Sequence, residues 1–123
     1  MSYDYLDTIS LASLPSEDRF PAWRAILGRK TQTARTFEIH CWAEEKEWVE
    51  VALQYGEEKE GGWAHGTVIA GPVTEEFLHM LLHTPKPEAG EGYDKLTPFF
   101  SIFFDNGFSS EFYGTELHVW LSL

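Results

Sequence analysis

Hydrophobic and polar residues recur along this chain with two different periods, and each change of period marks an element. Over Ser16–Arg29 the signals are helical. Ser16 stands as an N-cap ahead of Glu17 and Asp18, and Pro21 sits where a second turn can begin. Trp23, Ile26 and Leu27 follow at helical spacing, and Gly28 offers a stop. From Thr36 the period becomes two. Phe37, Ile39 and Cys41 alternate with Glu38, His40 and Trp42, the pattern of a strand with one buried face. After a turn at 43–46, Val49, Val51, Leu53 and Tyr55 alternate with Trp48, Glu50, Ala52 and Gln54. Helix formers are abundant across 43–55, yet the run of inward matches at period two favours a second strand. The polar run 56–62 reads as a loop, 63–70 as a third strand weakened by Gly66, and Gly71-Pro72 as its end.

The clearest helix comes next. Thr74 is placed to cap the free N–H groups of residues 76 and 77, Glu75 and Glu76 suit the positive end of the dipole, and Val73 and Leu78 occupy staple positions. Phe77, Leu78, Leu81 and Leu82 form the apolar stripe, and Pro85 ends it. Residues 84–95, with Pro85, Pro87, Gly90 and Gly92, read as a loop. Thr97–Phe104 is apolar enough for a central strand, and Asp105-Asn106-Gly107 is a hairpin signal leading into Phe108–Tyr113. Leu117, Val119 and Leu121 alternate with His118, Trp120 and Ser122 in a last strand. Tyr3–Leu14 has a mixed pattern that assigns no element. Short connections between successive strands favour antiparallel pairing. The expected fold class is α+β: one domain over 1–123, a mostly antiparallel sheet of about five to six strands, with two helices packed mainly on one face.

Composition narrows the function classes. The 123 residues are 43% hydrophobic and 15% aromatic, enough to build a core without disulfides or metal. A lone Cys41 excludes an intramolecular disulfide framework. The charge is placed unevenly. Residues 1–36 balance at +1, residues 37–123 at −12, and the stretch 44–60 alone carries seven glutamates against Lys46 and Lys59. Such a surplus disfavours nucleic acid and anionic membranes, both of which reward Lys and Arg. No apolar run approaches a membrane span, so a soluble, cytoplasmic protein is expected.

Candidate chemistry is sparse. His79 and His83 lie one helical turn apart, so their rings can converge on a metal, but the remaining ligands must then come from His40, Cys41, His65 or His118. The expectation is no metal and no cofactor. Cys41 and His40 are strand neighbours that point to opposite faces, which denies them a nucleophile–base pairing. Ser101 and Ser109-Ser110-Glu111 lie in strands rather than in a nucleophile elbow. No glycine-rich loop leads into a helix and lysine to hold phosphate. The glutamates are expected on solvated turns, and a catalytic carboxyl needs a pocket that the sequence does not show. No catalytic site is therefore expected.

The aromatic residues allow two readings: a helix covers the second face of the sheet, or that face presents a tryptophan-bearing contact surface. Trp42, Trp48 and Trp120 fall out of phase with their aliphatic neighbours and are expected on the opposite face of the sheet, with Trp63 nearby. Glu44, Glu45, Glu47, Glu57, Glu58 and Glu60 then rim a surface on which Trp48 and Trp63 are candidate contact residues. The profile, short, acidic, aromatic-rich and without catalytic motif, resembles that of bacterial toxin-immunity proteins; the resemblance is of profile, not of aligned motif. It implies an interaction protein that neutralises a basic partner. A second reading is a small ligand- or metal-binding domain or enzyme, with a pocket between sheet and helix using His65, His79 or His83. A weaker third is a DNA-mimic inhibitor. Gly107–Tyr113 is a candidate edge for self-association.

Overall fold

The alternation that opens at Thr36 builds the middle of the molecule. Phe37, Ile39 and Cys41 of β2 (Thr36–Trp42) are buried, while Glu38, His40 and Trp42 are only partly covered. The computed structural model describes residues 3–88 and 94–122. Around β2 the described residues form one antiparallel sheet of seven strands. These are β1 (Tyr3–Ser10), β2, β3 (Glu57–Glu58), β4 (Gly66–Pro72), β5 (Ser101–Phe104), β6 (Phe108–Glu111) and β7 (Glu116–Ser122), in the spatial order β1-β7-β6-β5-β2-β4-β3. Three α-helices accompany it among the described residues: α1 (Ser16–Lys30), α2 (Lys46–Leu53) and α3 (Glu75–His83). No helix among the described residues is long and apolar enough to cross a membrane.

The helices cover one face. Trp23 and Leu27 of α1, Ala52 of α2 and Phe77 and Leu81 of α3 join Phe37, Ile39, Ile69, Ile102, Phe104, Phe108 and Leu117 in a single buried cluster. Those sheet residues share a phase, because Ile39 pairs with Ile69 and Ile102, and Leu117 with Ser110. Phe37 lies flat on Phe77, with centroids 3.9 Å apart and planes within 2°. Trp23 is fully buried, and its indole N–H donates to Ser110 Oγ at 3.1 Å, so no polar group is stranded there.

Local chemistry explains the elements that follow the sequence pattern. The Thr74 hydroxyl accepts from the Phe77 N–H at 3.1 Å and starts α3. The β5–β6 hairpin turns at Asp105–Gly107, with the positive φ (86°) on Gly107. Asp105 Oδ1 accepts from the N–H groups of Arg35 and Thr36 at 2.8 and 3.2 Å, and Asn106 Nδ2 donates to the Lys30 carbonyl at 2.7 Å. The hairpin tip thus fastens the connection from α1 to β2.

Several expectations are overturned. Residues 46–53 are helix, not strand, because Trp48, Val49, Ala52 and Tyr55 make one stripe against Phe99 and Phe77. That brings the helices to three, and β1 with the two-residue β3 brings the strands to seven. The unassigned segment at the start of the chain is β1, paired along its length with β7 and bulged between Tyr5 and Asp7. Pro15, not Ser16, holds the N-cap position of α1, and the helix continues through Gly28 to Lys30. Of Thr97–Phe104, only 101–104 is strand. β6 lies between β7 and β5, so Gly107–Tyr113 is no edge. Gly90 and Gly92 of the expected loop lie outside the described residues.

Candidate functional site

The face that the helices leave uncovered carries an unusual number of rings. Trp42, at the end of β2, contacts Trp63 (4.7 Å between centroids) and Phe100 (4.9 Å). Trp63 lies parallel to Phe100, within 3° at 5.9 Å, and touches His65 and His40. Phe103 continues the group through His40 at 5.0 Å. Backbone proximity permits this crowding. Gly66 stands opposite Trp42 in the register, and a Cβ there would collide with the Cys41 carbonyl oxygen.

A strained turn completes the group. Between β6 and β7, Phe112, Tyr113 and Gly114 all adopt positive φ, at 52°, 57° and 89°. Bulky side chains avoid that region at a cost of about 1–2 kcal/mol per residue. The surroundings impose it. The Tyr113 N–H donates to the Phe100 carbonyl at 2.9 Å, and the Tyr113 carbonyl accepts from the N–H groups of Leu96 and Thr97. The Phe112 carbonyl accepts from both the N–H and the hydroxyl of Thr115. Gly114 has no substitute, because a Cβ would lie 2.8 Å from Trp23 Nε1. The outcome is a Phe112 ring 49% exposed and perpendicular to Phe100. Backbone strain of this kind persists only where the surrounding structure over-determines it.

Trp42, Phe100, Phe112 and Tyr113 wall a cleft of about 470 Å³, completed by Glu44, Asp94 and Thr115. The two carboxylates differ. Burial pushes the Asp94 carboxyl up, but hydrogen bonds and charge from Lys86 (2.7 Å) and Arg19 (3.4 Å) outweigh it and hold its pKa below the usual value. Glu44 is exposed and makes no ion pair among the described residues. Behind the cleft, Lys95 Nζ sits 4.3 Å over the Tyr113 ring and 3.6 Å from Glu45 Oε2, which also accepts from the Tyr113 hydroxyl at 3.2 Å. Glu45 Oε1 is buried and has no hydrogen-bond partner among the described residues. Burial, with a smaller contribution from the Glu45 charge, pushes the Cys41 thiol up to about 12.

The residues expected to form a contact surface are therefore divided. Trp63 and Glu44 belong to the ring cluster and its cleft. Glu57 and Glu58 form β3 at the sheet edge, with Glu57 opposite Ala70 and Glu58 opposite Ile69, and Glu60 is exposed in the loop beyond. Glu47 is exposed on the first turn of α2. Glu45 turns inward to Tyr113 and Lys95. Trp48 corrects the expected placement: it packs edge-on against Phe99 beneath the helices, because its segment is helical. The Trp120 side chain lies outside the described residues. Sequence reasoning missed Phe100, Phe112 and Tyr113; the available signal was a pair of bulky aromatics immediately before Gly114, inside a turn.

Other chemistry-bearing groups lie away from this cleft. His79 and His83 do stack, at 4.4 Å, on an exposed flank of α3, but no group of three or more His, Cys, Asp or Glu is placed to hold a metal ion. Ser109 Oγ donates to Glu111 Oε2 at 2.9 Å, and His118 Nε2 lies 3.6 Å from the same oxygen. Ser109 and His118 face each other across β6 and β7, and both are buried. No family model matches this chain, and no curated protein and no solved structure matches it.

Proposed function

We propose that this chain is a small acidic protein-binding domain that neutralises a basic partner, as a bacterial toxin-immunity protein does. Its contact surface is the helix-free face of the sheet, centred on Trp42, Trp63, Phe100 and Phe112. The observation that carries this reading is Phe112, half exposed on a left-handed turn beside the partly covered rings of Trp42, Trp63 and Phe100. Exposed aromatic anchors supply slow release, and a chain of formal charge −11 supplies fast encounter with a cationic protein. Cytoplasmic residence goes with this reading, since a single free cysteine suits a reducing compartment.

The competing reading of a ligand pocket between sheet and helix is less favoured. The cleft richest in rings opens on the other face, and His65, His79 and His83 do not line it. The test is complex formation with the basic product of a neighbouring reading frame, measured by calorimetry and by rescue of growth on co-expression. A one-to-one, salt-sensitive complex that Trp63→Ser weakens supports the proposal. No complex with any neighbouring product, or one indifferent to salt and to Trp63, removes it.

A further inference from the structure

We propose that the cleft between Phe112 and Trp42 is a receptor for one arginine side chain, contributed by the basic partner, with Glu44 as its carboxylate. This deepens the binding role proposed above and rests on that reading. The size fits: about 470 Å³ lies near the lower end of ligand-sized pockets, roomy for a single long side chain and its flanking backbone. The walls fit as well. Phe100 and Phe112 meet at 90° with centroids 5.9 Å apart, and Trp42 tilts 58° against Phe100, so three rings set at different angles line one opening. A guanidinium is planar and weakly hydrated, and it stacks on such faces while its edge pairs with a carboxylate.

The molecule already uses this chemistry one layer deeper. Lys95 places its ammonium over the Tyr113 ring while facing Glu45. Tyr113 is shared by the two settings, since its ring also borders the cleft. Asp94 is committed to Lys86 and Arg19, which leaves Glu44 as the cleft carboxylate without an ion pair among the described residues.

The test titrates the peptide acetyl-Gly-Arg-Gly-amide into the full chain, observing the Trp indole and residue 112–115 amide resonances. Saturable shifts confined to this cleft are expected. The citrulline peptide, equal in shape but neutral, binds about tenfold more weakly, and the lysine peptide severalfold more weakly. Phe112→Gly removes one wall while relaxing the strained φ, and weakens binding about tenfold; Glu44→Gln weakens it about threefold. Phe112→Leu, which keeps apolar bulk without the ring, serves if the glycine variant does not fold. Absence of saturable shifts, equal binding of the citrulline peptide, or indifference to both Phe112 variants overturns the inference. The two proposals fail separately. A basic partner bound normally by Phe112→Gly and by Glu44→Gln removes this receptor, and the binding role then rests on the remaining rings, where Trp63→Ser tests it. A peptide site present in a chain that captures no basic partner leaves the receptor and removes the role.

Discussion

The two faces of this sheet are made by the same strands and do opposite things with their aromatic residues. On the helix-covered face, Phe37 lies flat on Phe77 at 3.9 Å, and Trp23, Phe99 and Phe104 are sealed from water. On the open face, Trp42, Trp63 and Phe100 are only half covered, and Phe112 projects from a left-handed turn. Burial on the first face stabilises the fold at about 25 cal/mol per Å² of apolar area removed from water. The rings of the second face leave part of that gain unrealised until something covers them. Strain is divided in the same way. The positive φ of the non-glycine residues Phe112 and Tyr113 falls beside the cleft, among the described residues, while the covered face relies on ordinary geometry.

Perturbations that strike one face and spare the other test this contrast. The largest effect belongs to Cys41. With its thiol pushed up to about 12, alkylation at pH 8 should run roughly a thousandfold slower in the folded chain than in the unfolded chain, from thiolate fraction alone. Comparable rates in native buffer and in urea would show that the covered face opens freely. Next, Phe37→Ala should cost about 3–5 kcal/mol in urea unfolding, whereas Trp63→Ala, on the open face, should cost under about 2 kcal/mol. Equal losses would erase the distinction between the faces.

Gly114→Ala should destabilise by about 2 kcal/mol or more, since it combines an unfavourable φ with a clash against Trp23. Two residues away, Phe112→Gly should stay within about 1 kcal/mol of the parent, because strain relief offsets lost contact. Acid should act on the open face through Asp94. Its pKa is lowered on folding, so its ion pairs contribute fully above the unfolded value of about 3.8 and are lost as pH falls through the lower folded value. Asp94→Asn should flatten the stability profile in that window below about 4, as followed by thermal unfolding. Smallest in stability is the triple change Glu57→Lys, Glu58→Lys, Glu60→Lys, expected within about 0.5 kcal/mol per site. It should nonetheless slow association with a cationic partner about tenfold or more at low salt. Unchanged kinetics would remove that edge of the sheet from the contact surface.

Much of the fold was legible, and the parts that were not share a cause. α3 could be read because its cap and stripe lie within ten residues, and the β5–β6 turn because Asp105-Asn106-Gly107 carries its own geometry. The segment 46–53 fits both periods: Val49, Val51 and Leu53 alternate, yet Trp48, Val49, Ala52 and Tyr55 also make a helical stripe. Contact with Phe99 and Phe77 chose between them. β1 was illegible because its partner, β7, lies at the other end of the chain. Of the site, the alternation placed Trp42 on the opposite face from Cys41 correctly, and misreading the helix misplaced Trp48.

By itself, the sequence determined what depends on neighbours a few residues apart: capping, turning, the alternation within β2, and the acidic bias of residues 37–123. Tertiary structure decided which face the helices cover, and that Phe112 and Tyr113 accept left-handed backbone. Leu96, Thr97 and Phe100 bond to Tyr113 from thirteen to seventeen positions earlier, and Trp23 presses on Gly114 from α1. Those partners become neighbours only after the sheet has closed, so no local pattern in the chain announces the cleft they form.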